Sequence, residues 1–158
     1  MQTFERDLRV DTPLAAVWEF HSTVDGLLAL TPEWANLRVD GVDWPDGECE
    51  DDVLVEGTRI HMSVRPFGVG PRQTWTSRIT ERVEEEGHAY FVDVMEDGPF
   101  PVWRHTHSFF ADGEQTVARD RVEYRAPLGA LGVLGAPVVL WPMFHFRHRR
   151  TREVLGDA

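Results

Sequence analysis

Two stretches, Val102–Phe110 and Thr116–Arg125, constrain the fold more than any other part of the chain. In the first, Trp103, His105, His107 and Phe109 share one parity, and Arg104, Thr106 and Ser108 share the other. Side chains of a strand alternate faces, so this pattern predicts a strand with an aromatic and imidazole face backed by a polar one. The second stretch repeats the alternation, setting Ala118, Asp120, Val122 and Tyr124 against Arg119, Arg121, Glu123 and Arg125. Reading Gly113-Glu114 as a two-residue turn places Asp112 opposite Gln115. Counting back pairs Phe109 with Ala118, His107 with Asp120, His105 with Val122 and Trp103 with Tyr124. A one-residue slip would turn the arginines inward; a two-residue slip keeps parity and stays open. The shared face is too polar for a plain core and too apolar for a solvated surface, so it reads as a cavity wall.

The rest of the chain supplies the elements around that wall. Residues 3–10 alternate, with Phe4, Leu8 and Val10 opposite Glu5, Asp7 and Arg9, and predict a first strand. Asp11-Thr12-Pro13 then brings a cap and a proline suited to a helix start, followed by Leu14, Val17, Trp18 and His21 at helical spacing. A second short helix is expected over Val24–Leu30, stopped at Thr31-Pro32. Strands follow at Leu37–Asp43, around Ile60, Met62 and Val64, and through Trp75, Ile79 and Val83. A fifth is expected at Ala89–Met95, where the parity of Asp93 is not fixed. From Ala126 to Phe146 no Asp, Glu or Arg occurs, but glycines and prolines interrupt the run. Its front half reads as a loop and the remainder as a buried helix rather than a membrane span. That helix carries the apolar set Val138, Trp141, Phe144 and His145, and ends in Arg147, Arg149, Arg150 and Arg152, basic residues that complement the helix dipole. The order is therefore one strand, two helices, six strands and a helix. It predicts an α+β fold in which a curved antiparallel seven-stranded sheet wraps a long C-terminal helix and leaves space between them.

Length and charge narrow the function. The 158 residues suit one domain spanning 1–158. The lone Cys49 sits in the acidic run Glu48–Asp52 without a disulfide partner, and no N-terminal signal pattern is seen, so a cytoplasmic setting is expected. Net charge is −11 and all 16 basic residues are arginine, a balance that suits a salt-adapted or a GC-rich organism and argues against nucleic-acid binding. No nucleophile elbow or phosphate-cradling glycine motif is present. The predicted register instead sets Asp120 beside His107. Such a pair either tethers two strands or orients a ligand, and imidazole also suits acid–base chemistry near neutrality. His105, His107 and Asp120 together have the donor types of a metal site but lack a further convincing ligand, so neither a metal nor another cofactor is expected.

With these motifs in view, the chain resembles the START-like helix-grip superfamily, the SRPBCC or polyketide cyclase/dehydrase and lipid transport group. The resemblance runs along nearly the whole chain. It rests on Asp11-Thr12-Pro13 with Val17-Trp18, and on Phe91-x-Asp93 followed by Gly98-Pro99-Phe100-x-x-Trp103-x-His105-x-His107-x-Phe109. It continues in Asp120-x-Val122-x-Tyr124-x-x-Pro127-x-Gly129-x-Leu131-Gly132 and in Phe144-x-Phe146-Arg147. It implies a sheet gripping a C-terminal helix around a hydrophobic ligand cavity, but no particular reaction, since relatives include lipid carriers, quinone-binding proteins, cyclases and hormone receptors. Pro137 and Pro142 depart from the pattern and are expected to shorten or kink the helix.

The leading expectation is a binder of a small lipid-, isoprenoid- or quinone-like molecule. Trp75, Trp103, Phe109, Tyr124, Trp141 and Phe144 would supply apolar contact, and His105, His107 and Asp120 would orient the polar end. The alternative is a cyclase or dehydratase acting on a polyketide-like or aromatic substrate, with His107 as its acid–base residue and Asp120 orienting it. A transient membrane contact through the glycine-rich apolar stretch is a third reading. Oligomeric state is left open.

Overall fold

The computed structural model describes residues 1–47 and 51–156; Glu48, Cys49 and Glu50 of the acidic run lie outside it. Strand β1 (Gln2–Val10) leads into helices α1 (Leu14–His21) and α2 (Val24–Ala29). Strands β2 (Arg38–Asp43), β3 (Arg59–Val64), β4 (Gln73–Glu85), β5 (His88–Glu96), β6 (Val102–Asp112) and β7 (Gln115–Arg125) follow, and α3 (Gly129–Leu155) closes the chain. All strands join one antiparallel sheet in the order β1-β7-β6-β5-β4-β3-β2. This is the helix-grip arrangement expected from the element order.

The β6–β7 register is the predicted one. Asp112 faces Gln115, and Phe109, His107, His105 and Trp103 face Ala118, Asp120, Val122 and Tyr124. Gly113 takes the positive φ of 62° that the tight turn demands, which a side chain would resist. On the outer face the alternating charges pair: Arg119 reaches Asp7 at 2.7 Å, and Arg104 reaches Glu81 at 3.0 Å and Glu123 at 3.3 Å. The inner face holds two apolar clusters. One gathers Trp18, Ile60, Phe91 and Phe109 under α1, and the other gathers Val122, Tyr124, Leu140 and Phe144 under α3. The far end of α3 is tied to the β1–α1 junction, where the Thr12 hydroxyl donates to the Leu155 carbonyl.

Four local expectations are corrected. A β-bulge between Ile79 and Glu81 reverses the parity of β4, so Arg82 and not Val83 turns inward, its guanidinium 4.1 Å above the Trp18 ring. Helix α3 begins at Gly129, so the front half of the apolar stretch is helical rather than a loop. It also continues past Pro137 and Pro142 and is not shortened by them. Both prolines lie on the exposed side, where the carbonyls they leave unbonded can be hydrated. Finally, the buried stripe of α3 is Ala136, Leu140, Phe144, His148 and Thr151, whereas Val138, Trp141 and His145 face outward. The helix is therefore half-exposed rather than buried. Among the described residues, no helix is long and apolar enough to cross a membrane.

Candidate functional site

A cavity of about 340 Å³ lies between the inner face of the sheet, α2 and α3. Its wall is mostly apolar, built from residues such as Leu30, Ile60, Met62, Trp75, Trp103, Leu140 and Phe144. One region departs from this. Strands β5 and β6 bring Asp93, His105 and His107 to the wall, and α3 adds Arg147.

The polar groups are joined crosswise. By backbone register His105 faces Asp93 and His107 faces Asp120. The short hydrogen bonds follow the other diagonal: His107 Nε2 lies 2.7 Å from Asp93 Oδ2, and His105 Nε2 lies 2.8 Å from Asp120 Oδ1. The directly facing groups are farther apart, at 3.9 Å for His105 Nδ1 to Asp93 and 3.5 Å for His107 Nδ1 to Asp120. Two imidazoles with centroids 3.6 Å apart are thus held between two carboxylates. His107 also stacks on Phe91 at 4.1 Å, which fixes its ring plane. Ser77 Oγ donates to Asp93 Oδ1 at 3.2 Å. Asp120 receives a further bond from His148 Nε2 at 2.7 Å and lies 3.8 Å from Arg147 Nε.

Burial and bonding together set the charges. Burial, reinforced by His105, pushes His107 down to about 4 against the pull of Asp93, so the ring is neutral near pH 7. Burial would raise Asp93, but the hydrogen bonds from His107 and Ser77 outweigh it and hold the carboxyl below its usual range. Asp120 is held lower still: burial opposes ionisation, while Arg147, His105 and His148 favour it. His21, on α1, is pushed down to about 3 by burial and by the neighbouring Arg147 charge, although its Nδ1 is bonded to the Val17 carbonyl at 2.8 Å.

Of the residues singled out from sequence, Trp75, Trp103, His105, His107 and Phe144 line the cavity. Asp120 stands behind the imidazoles rather than on the wall. Phe109 is packed between Trp18 and His21, with centroids 5.8 and 4.7 Å away, and Tyr124 belongs to the core under α3. Trp141 lies outside the cavity, 56% exposed, stacked on His145 with the Arg6 guanidinium 5.6 Å from its ring. Asp93, whose parity the sequence left open, faces the cavity. Arg147, His148 and His21 belong to the polar cluster and were not singled out for it. Arg147 opens the run of helix-end arginines, yet its side chain is only 16% exposed. The usable signal was the spacing of four that links Leu140, Phe144 and His148 into one helical stripe.

The fold recurs in solved structures. Protein CV1439 from Chromobacterium violaceum superposes with a TM-score of 0.70 at 13% identity, covering 99% of this chain and 98% of that one. TTHA0849 from Thermus thermophilus gives 0.61 at 16% identity over 97% of this chain and 99% of that one. Norcoclaurine synthase from Thalictrum flavum, solved with dopamine and hydroxybenzaldehyde, gives 0.62 at 16% identity over 96% and 87%. Identities this low establish a shared fold and nothing finer. No curated protein matches the sequence significantly. The family profile described as polyketide cyclase / dehydrase and lipid transport matches residues 10–142, and the chain belongs to that family.

Proposed function

We propose that the protein binds a small amphipathic molecule in the cavity between sheet and α3, its apolar body among Ile60, Met62, Trp75, Trp103 and Leu140 and its polar end at His105, His107 and Arg147. The observation that carries this reading is a largely apolar cavity in which Asp93, His105, His107 and Arg147 meet on one patch of wall. A volume near 340 Å³ stands at the lower end of ligand pockets, which run about 300–1,000 Å³. That size suits a one- or two-ring quinone-like body or a single short isoprenoid or acyl chain, and is too small for a lipid with two long chains. The polar patch offers Arg147 and the neutral His107 ring beside the Asp93 carboxylate, so a neutral hydrogen-bonding end, a carbonyl or hydroxyl, is favoured.

A second reading, acid–base catalysis on a carbonyl-bearing substrate, is favoured by one specific feature. His107 lines the cavity as a neutral ring whose Nε2–H is held by Asp93; its Nδ1, the nitrogen left to accept a proton, takes a hydrogen bond from Arg147 at 3.4 Å that a substrate would displace. Asp93, not Asp120, is the orienting group in that reading.

The test is a thermal-shift and calorimetric titration of delipidated protein with a panel of quinones, naphthols and medium-chain fatty acids. Binding by one class, lost in Met62→Trp with the fold intact, supports the cavity; a protein that no member stabilises, or a Met62→Trp variant that binds as well as wild type, refutes it. Turnover of a bound carbonyl compound, abolished in His107→Phe, would establish the catalytic reading over simple carriage.

A further inference from the structure

We infer that Asp93, His105 and His107 form a binding site for one divalent first-row transition-metal ion on the cavity wall. One ligand atom from each of the three lies within 4.8 Å of the others. An ion bound at about 2.0–2.2 Å by nitrogen and oxygen donors places neighbouring donors roughly 2.9–3.5 Å apart. The observed separations bracket that range: 2.7 Å from His107 Nε2 to Asp93 Oδ2, and 3.9 Å from His105 Nδ1 to the same oxygen. Both separations lie close to that range.

The hydrogen bonds around His105 and Asp93 are those a metal site requires. His105 directs Nε2–H to Asp120, which leaves its Nδ1 lone pair on the Asp93 side. His107 in its Nδ1–H tautomer has Asp120 Oδ1 at 3.5 Å as an acceptor, so its Nε2 is released towards Asp93. Asp120 thus serves as outer partner to both imidazoles, and His148 and Arg147 hold it in place. Ser77 occupies Asp93 Oδ1 and leaves Oδ2 for the ion. Before an ion binds, the Arg147 guanidinium donates to His107 Nδ1 at 3.4 Å and His107 Nε2–H donates to Asp93, so ion binding moves the ring proton from Nε2 to Nδ1 and turns the guanidinium aside. Charge points the same way. Two buried carboxylates face one guanidinium, an excess of negative charge that a cation offsets. Two imidazoles and one carboxylate, with the remaining side open to an apolar cavity, suit Zn²⁺ or Fe²⁺ with a coordination position left for a ligand atom.

The inference does not depend on the organic ligand, and its test uses none. The 158-residue chain is stripped with chelator and titrated with Co²⁺, followed by its d–d absorption, and with Zn²⁺, followed by calorimetry and by histidine ¹⁵N resonances. We expect one ion per chain and displaced His105 and His107 ring signals in the wild type. Asp120→Asn should weaken binding by roughly 10–100-fold and Asp93→Asn by more. His61→Gln, which removes an exposed imidazole paired with Asp43 at 2.7 Å, should leave affinity unchanged. Undisplaced His105 and His107 signals at saturating Zn²⁺ would overturn the inference, and that reading needs no variant to fold. So would wild-type affinity in folded Asp93→Asn, or affinity lost only on changing His61.

Discussion

Backbone pairing sets His107 opposite Asp120, but the short hydrogen bond of His107 goes to Asp93. Directly opposed residues on one sheet face are close, and long side chains lean along the strand, so a ring nitrogen reaches the diagonal carboxylate more easily than the facing one. This changes what a mutation does. His107→Phe removes the shortest hydrogen bond of Asp93 and leaves it Ser77, while Asp120 keeps His105, His148 and Arg147. The expected cost is about 1–3 kcal/mol in urea unfolding, with the Asp93 carboxyl shifted upward in a ¹³C titration. Adding Asp93→Leu should recover much of the loss. Asp120→Ala removes the partner of a buried cation and of two imidazoles, and should cost more, roughly 3–5 kcal/mol. The opposite ranking would show that Asp120 is not the anchor of the cluster. The His107–Asp120 facing pair was legible in the sequence because alternation and the Asp-Gly turn constrain the β6–β7 register; the facing of His105 and Asp93 was not, because the register of β5 was open, and the diagonal bonds were not, because register leaves side-chain torsions free.

Among the elements, β6 and β7 were the most legible and α3 the least. Both strands carry strict alternation, and any slip by one residue would have buried arginine. Helix α3 is apolar nearly all round in its first half, so hydrophobicity does not mark the inward stripe. That stripe includes Ala136, His148 and Thr151 and omits Trp141 and Val138. The bulge in β4 was hidden for a related reason, since no residue near Ile79 announces the change of parity. Stability should follow the observed stripe. Phe144→Ala, at a position 5% exposed and 5.0 Å from the Phe4 ring, should cost about 3–5 kcal/mol. Trp141→Ala should cost under about 1 kcal/mol by the same unfolding measurement, because most of that ring is already in water. The turn before β6 is equally exacting: a Cβ on Gly98 would sit 2.6 Å from Met95 Cγ and 2.8 Å from Trp75 Cβ. Gly98→Ala should therefore destabilise by about 1–3 kcal/mol and displace Trp75, weakening ligand binding as well.

At the scale of the molecule, the buried polar cluster makes the protein sensitive to acid. His21 and His107 are neutral when folded, with values near 3 and 4, but take up protons below about 6.5 when unfolded. Stability is therefore highest above pH 6.5 and falls as pH drops from 6.5 towards 4, at about 1.4 kcal/mol per pH unit for each such group. Asp93 and Asp120 are depressed, so their contribution is present above the ordinary carboxylate range and is lost only at lower pH. Urea midpoints for chelator-treated protein between pH 8 and pH 4 should show this decline, and His21→Leu should make it shallower; a flat profile would mean the two imidazoles are protonated in the fold.

The central claim, that a ligand enters the cavity with its polar end at the imidazoles, is tested most directly by methyl and histidine-ring NMR of the protein saturated with a ligand identified from the panel. The account predicts shifts at Ile60, Met62 and Leu140 and at the rings of His105 and His107, with contacts from the ligand's polar end to those rings. Shifts confined to Leu131, Leu134 and Val138, on the exposed side of α3, would place the ligand on the surface and contradict it.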